Sequence, residues 1–479
     1  MSTTKRLPAF ITVKSVGLAA AVILFALPFV FPSAELSGAG NRMLAIFLMA
    51  VALWITEAIP LHATAALIIF LNILLISNRA MVPPPDFDAP AFSRFFGTLA
   101  SPILMLFLGG FFLADGAAKY KLDRNLAKTL LKPFGTKPAN ITLGMMLIVA
   151  VFSMFMSNTA ATAAFMAVIL PVIARLPEGD RGRIGLALCI PIAANVGGMG
   201  TPVGTPPNAI ALGALNRMGI QISFVEWMAL IFPFMLIILL SAWQLLTRIF
   251  PCSAKEIVIQ IESEYDRSLE AILFYVIAGT TLLLWFTEPL HGVPSSIVGF
   301  FPVVSMLALK LISEKEFHSM QWSVLWLVAG GIALGVGVGE TGLDVWLIGL
   351  ISWDNLPVAA VTAMLALTAL AFSTIISNSA TANLLVPIAM TLSVSLGDDL
   401  NRIGAAIYVA VGASLAMMLP ISTPPNAIAY ATGQVKTKHM AIMGACVGAI
   451  GMLIFIFVAP HIWEWLGLMP EYTTEQLIQ

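Results

Sequence analysis

Ser157-Asn158-Thr159 and, 220 residues later, Ser377-Asn378-Ser379 interrupt two apolar stretches at their midpoints. Each is followed by a second polar block, Gly204-Thr205-Pro206-Pro207-Asn208 and Ser422-Thr423-Pro424-Pro425-Asn426. Duplicated polar, proline-broken segments in a hydrophobic chain are the mark of a membrane carrier whose binding site lies between two repeats. The pattern predicts that the chain moves a small solute across a lipid bilayer.

Composition fixes the medium. Of 479 residues, 59% are hydrophobic and 10% charged, against roughly 25% charged in soluble proteins. The chain therefore reads as one multispanning unit with short loops. A formal net charge of −1 gives no basis for a nucleic-acid partner. Cys189, Cys252 and Cys446 lack the spacing of a disulfide framework or metal site and read as packing residues. Lys5, Arg6 and Lys14 precede an apolar run without an Ala-x-Ala cleavage site, which predicts a first transmembrane helix rather than a removed signal peptide.

Apolar runs long enough for the ~30 Å hydrocarbon core fall near 15–32, 43–60, 63–78, 99–118, 184–215, 222–248, 269–288, 295–312, 322–349, 402–434 and 440–463. Two more, 139–174 and 357–394, carry the Ser-Asn blocks at their centres. They are predicted to be re-entrant hairpins whose tips are buried in protein or line a wet cavity. The predicted fold is all-α, with about 11 transmembrane helices plus two re-entrant hairpins. An N-terminus inside the plasma (inner) membrane and a C-terminus outside satisfy the positive-inside rule. Lys119, Lys121, Arg124, Lys128, Lys132, Lys137, Arg175, Arg181, Arg183, Arg248, Lys255, Lys310, Lys315, Lys436 and Lys438 then face the cytoplasm. Glu340, Asp344, Asp354, Asp398, Asp399, Glu464, Glu471 and Glu475 fall outside, with Arg402 among them.

The duplication extends beyond the polar blocks. Trp54-Ile55-Thr56-Glu57 is echoed by Trp285-Phe286-Thr287-Glu288, and Gly109-Gly110 by Gly330-Gly331. In this topology the first Trp helix runs inward and its counterpart outward, so the repeats are inverted. The expected division is an N-terminal segment and first helix over 1–42, repeat 1 over 43–250 with hairpin 139–174 and broken helix 184–215, and repeat 2 over 269–466 with hairpin 357–394 and broken helix 402–434.

The polar segments carry no charge. No Asp, Glu, Lys, Arg or His lies in the first hairpin before Arg175, from Ile184 to Asn216, between Asp354 and Asp398, or between Arg402 and Lys436. Proton-driven carriers normally keep a titratable group in the membrane, so coupling to another ion or to a counter-substrate is expected. What these segments offer is neutral oxygen: Ser and Thr hydroxyls, the Asn158 and Asn378 carboxamides, and carbonyls freed where proline breaks a helix. Unwound carbonyls suit a small hard cation such as sodium, and half-helix N-termini suit an anion.

These tips and breaks, with Trp54-Ile55-Thr56-Glu57-Ala58-Ile59-Pro60 and Leu108-Gly109-Gly110-Phe111-Phe112-Leu113-Ala114, resemble the divalent anion:sodium symporter (DASS) family over about residues 15–465. The resemblance implies a homodimeric elevator transporter, with scaffold and transport domains, that carries di- or tricarboxylates with sodium. It implies one sodium site at Ser153, Ser157, Asn158 and Gly204, and another at Ser373, Asn378 and Ser422. Substrate carboxylates would meet Ser157, Asn158, Thr159, Thr205, Ser377, Asn378, Ser379, Thr423 and Pro424. The chain departs from the family pattern at Ser379, where many members have Thr, and at Thr374, where several carry Glu.

Two symmetry-related tips favour a short diacid, so the expected activity is sodium-coupled import of C4-dicarboxylates such as succinate, malate or fumarate. Alternatives within transport are a dicarboxylate exchanger and a sodium-coupled citrate or sulfate carrier. A membrane enzyme would need a nucleophile, acid–base pair or metal cluster in the core, and a channel a repeated pore-lining ring; neither is legible. Glu57 and Glu288 read as structural, the glycine pairs as close helix contacts, His62 and His291 as interfacial, and Trp463 with Trp465 as an outer aromatic anchor.

Overall fold

With no water in hydrocarbon to satisfy the backbone, apolar stretches of this length must close their hydrogen bonds internally, as helices. The computed structural model describes residues 13–259, 264–350, 356–396 and 400–468. Lys5, Arg6, Asp354, Asp398, Asp399, Glu471 and Glu475 lie outside the described residues. Among those described, nine helices are long and apolar enough to cross a membrane. Shorter apolar helices occupy Lys14–Val30, Leu61–Leu75, Ser295–Ala308 and Arg402–Ser414, and no strand occurs.

Each expected hairpin is a pair of helices, Pro138–Phe155 with Asn158–Arg175 and Val358–Ile375 with Asn378–Ser395. The reversal is fixed by capping: the Ser157 and Ser377 hydroxyls accept from the backbone N–H of Ala160 and Ala380, satisfying one orphan donor of each returning arm. The broken helices run Arg181–Gly198 then Pro206–Arg217, and Arg402–Ser414 then Pro424–Ala431. Each resumes at a Pro, whose missing N–H is no loss in a first turn. The unwound stretch before it is held by the asparagine of the same motif. Asn208 Nδ2 donates to Gly198 O, Met199 O and Thr201 O at 3.1, 3.2 and 2.8 Å. Asn426 Nδ2 donates to Met417 O and Leu419 O at 2.7 and 3.0 Å.

Packing crosses between the two halves of the sequence. Pro102–Lys119 lies against Ser295–Ala308, and Trp322–Glu340 against Leu61–Leu75. Glycine allows both approaches: a Cβ on Gly109 would strike the Gly299 carbonyl, and one on Gly330 the backbone of Ala65. The echoed tryptophans have matching roles, since buried Trp54 and Trp285 donate through Nε1 to Leu61 O and Ser295 O at 3.4 and 3.0 Å. Glu288 has a structural role, accepting from the N–H groups of Ser295 and, across 64 residues of sequence, of Phe224.

One expectation fails here. Trp463 is 1% exposed and donates to Leu230 O at 2.8 Å, so it packs inside the protein; Trp465, 82% exposed, faces outward alone. Two residues of helix rotate the side chain by about 200°, so the two indoles point to opposite faces of Ala459–Trp465, and only one face of that short helix meets the surroundings.

Candidate functional site

The crossed packing brings the four polar blocks together. Pro206–Arg217 lies against Asn378–Ser395 and Arg402–Ser414, while Pro424–Ala431 lies against Asn158–Arg175 and Arg181–Gly198. Between them is a cavity of about 340 Å³ lined by Ser157, Asn158 and Thr159 from the first tip and Ser377, Asn378 and Ser379 from the second. Gly204, Thr205 and Pro206 line it from one break, and Ser422, Thr423, Pro424 and Pro425 from the other. Four helices therefore begin at this cavity, those starting at Asn158, Pro206, Asn378 and Pro424. Their N-termini each present roughly half a positive charge. The lining contains no Asp, Glu, Lys or Arg, so an anion here is met by helix dipoles, N–H groups and hydroxyls.

Behind each tip is an oxygen cluster. Ser153 Oγ lies 2.7 Å from Asn158 Oδ1 and 2.8 Å from Ala194 O. Ser373 Oγ lies 2.8 Å from Asn378 Oδ1 and 2.7 Å from Ala413 O. A hydroxyl has one proton, so it can serve only one of its two oxygen neighbours, and each cluster holds more lone pairs than donors. At the first cluster the same Asn158 amide atom is 3.2 Å from both Gly204 O and Ala194 O. As an oxygen it faces a ring of oxygens that only a cation, or a reversed carboxamide, satisfies. Both serines are fully buried, which makes unmatched lone pairs costly. With its nitrogen turned inward the Asn158 carboxamide donates to Ser153 Oγ, Gly204 O and Ala194 O and satisfies the first cluster within the protein; with the carboxamide oxygens of Asn158 and Asn378 turned inward, each donor set is neutral, hard and oxygen-only, the chemistry of a sodium ion. Space for the carboxamide depends on glycine, because a Cβ on Gly198 would run into Asn158.

Residues 11–469 match the family described as "Sodium:sulfate symporter transmembrane region". The chain belongs to the sodium:sulfate symporter family. It is 30% identical to the sodium-dependent dicarboxylate transporter SdcS of Staphylococcus saprophyticus, over 92% of this chain and 90% of that protein. It is also 30% identical to the SdcS of Staphylococcus aureus, over 96% and 93%. The fold is similar to that of the Alcanivorax borkumensis YdaH transporter, with a TM-score of 0.53 at 13% identity, covering 79% of this chain and 89% of that one.

In this member of the sodium:sulfate symporter family, all nine residues expected to meet substrate line the one cavity. Of the residues expected around sodium, Ser153, Asn158 and Gly204 converge, as do Ser373 and Asn378. Ser157 stands apart from the first cluster, its hydroxyl accepting from Ala160 N and from Gln321 Nε2 at 2.8 Å. Ser422 binds the second hairpin instead, donating to Thr374 O at 2.9 Å.

Several lining residues were not foreseen. Asn195 crosses between the broken helices, donating to Thr423 Oγ1 at 3.1 Å and Asn426 Oδ1 at 3.3 Å. His62, expected at an interface, lines the cavity with Leu61, and Gln321 and Ser323 face it from the start of Trp322–Glu340. The carbonyls of Ala194 and Ala413 carry no side-chain signal. Asn195 could have been noticed as an unmatched carboxamide in an apolar helix.

Proposed function

We propose that the protein is a sodium-coupled symporter that imports C4-dicarboxylates such as succinate, malate or fumarate. The anion spans the two Ser-Asn tips, and a sodium ion occupies each serine cluster. The observation that carries this reading is the duplicated oxygen cluster beside one uncharged cavity: cations placed there supply the positive charge that the lining lacks. The staphylococcal relatives are named sodium-dependent dicarboxylate transporters, which supports the same choice. The family description names sulfate, but two tips on one cavity suit two carboxylates better than a single sulfur centre.

The substrate contacts in this reading are Ser157, Asn158, Thr159, Thr205, Ser377, Asn378, Ser379, Thr423 and Pro424. The hairpins and broken helices move together as a transport domain against the remaining helices. The repeats, over 43–250 and 269–466, are inverted, and the chain works as a homodimer in the plasma membrane with its N-terminus inside. Uptake of labelled succinate into proteoliposomes with external sodium, potassium or choline tests the coupling. Concentrative uptake is expected with sodium alone; sodium-independent uptake that requires internal diacid would replace symport by exchange.

A further inference from the structure

The cavity lining contains a side chain from outside the tips whose contact constrains the chemistry of the first one. Gln321 precedes Trp322–Glu340 and makes no capping bond to that helix. Its Nε2 instead donates to Ser157 Oγ at 2.8 Å, across 164 residues of sequence. Ser157 Oγ already accepts from Ala160 N at 3.2 Å as the cap of its own helix. A serine hydroxyl has two lone pairs and one proton. With both lone pairs taken, the oxygen has none left for a cation, and its only remaining capacity is to donate. Among the described residues the Ser157 hydroxyl donates to none, and Ser157 lines the cavity. The second tip differs: among the described residues Ser377 accepts from Ala380 N alone, which leaves its hydroxyl a free lone pair.

We infer that Gln321 is a positioning residue that reserves the Ser157 hydroxyl as a donor to a substrate carboxylate oxygen and thereby excludes that hydroxyl from the sodium shell. The inference rests on the reading that the cavity binds an oxyanion. It makes the two tips unequal: the first hydroxyl is committed to the anion, the second is free to serve anion or cation.

The test is uptake kinetics in proteoliposomes for wild type, Gln321→Met, Gln321→Glu, Ser157→Ala and the Ser157→Ala/Gln321→Met double variant. Wild-type uptake of succinate, citrate and sulfate comes first and judges the substrate reading by itself; absence of all three sinks that reading and this one with it. The variants are then compared on an anion that the wild type carries. Met is close in size to Gln but has no donor, and Gln321→Met is expected to raise the anion KM about tenfold, the loss of one hydrogen bond that orients a donor to a charged group. The sodium half-saturation, measured at saturating anion, stays within about twofold, a margin well below one hydrogen bond. Gln321→Glu, an acceptor of the same shape, draws the Ser157 proton away from the cavity and raises KM further. In the Ser157→Ala background Gln321→Met adds nothing, because the group it orients is gone. An undiminished effect in that background, an equal shift in sodium half-saturation, or a wild-type KM in Gln321→Glu would each overturn the inference. The last result would mean that the carboxamide oxygen, not its N–H, faces Ser157.

Discussion

Asn158 and Asn378 stand where cation and anion would meet, each sharing a buried serine with a main-chain carbonyl of the neighbouring broken helix. Truncating either carboxamide leaves those partners desolvated, at about 1–3 kcal/mol per group. Asn158→Ala and Asn378→Ala are each expected to abolish uptake while the purified protein keeps its oligomeric state; near-normal uptake by either variant would mean that the site lies elsewhere. Ser379 is where the tips differ in sequence. Ser379→Thr keeps the hydroxyl and adds one methyl, about 0.8 kcal/mol if well packed, so it is expected to retain transport and shift preference among succinate, citrate and sulfate a few-fold. Ser379→Ala should weaken all three. Competition curves that coincide for wild type and both variants would show that Ser379 does not touch substrate. At this scale the sequence was readable where polar side chains were duplicated and silent elsewhere. Ala194 and Ala413 act through carbonyls, which every residue has, and Gln321 and His62 come to the cavity from helices whose own sequence contains no polar block.

The helices and their breaks were the most legible elements, because length, apolarity and proline act locally. Both tips and both Pro-Pro restarts fall on the residues where the periodicity is interrupted. What links the elements was less visible. The repeated Trp motif was apparent, yet nothing in it says that the indole reaches the start of the next helix, and the depth of Trp463 depends on Leu230, 233 residues away. The asparagines at the breaks give an element-scale prediction. Asn208→Ala and Asn426→Ala free carbonyls in the unwound stretches, among them those of buried Met199 and Met417, so each should lower thermal stability by about 1–3 kcal/mol as well as activity. The measurement is a melting curve in detergent; unchanged midpoints would show that water, not the carboxamide, satisfies those carbonyls. Glycine contacts should be less forgiving. Gly109→Val drives a side chain into the Gly299 carbonyl and is expected to reduce the yield of folded protein, whereas Gly279→Val, where a Cβ meets nothing within 4 Å, is not.

For the whole molecule, the crossed packing explains how a cavity without fixed charge could bind a dianion: each half of the sequence contributes a tip, a break and an oxygen cluster, and neither half completes the site alone. On the proposed reading, loading the cations would make the site for the anion, which is a coupling mechanism as well as a binding one. Among the described residues His62 is the only titratable side chain in the lining, so an imposed proton gradient without sodium is expected to drive no concentrative uptake. Proton-driven accumulation would shift the mechanism to that histidine. On the proposed reading the two duplicated clusters each carry a sodium ion with the substrate, and sodium and substrate enter together. This is tested most directly by measuring labelled sodium and labelled succinate fluxes in parallel in the same proteoliposomes. At least two sodium ions should enter per succinate, with no sodium uptake in its absence; succinate entering with no accompanying sodium would show that the clusters do not couple the two.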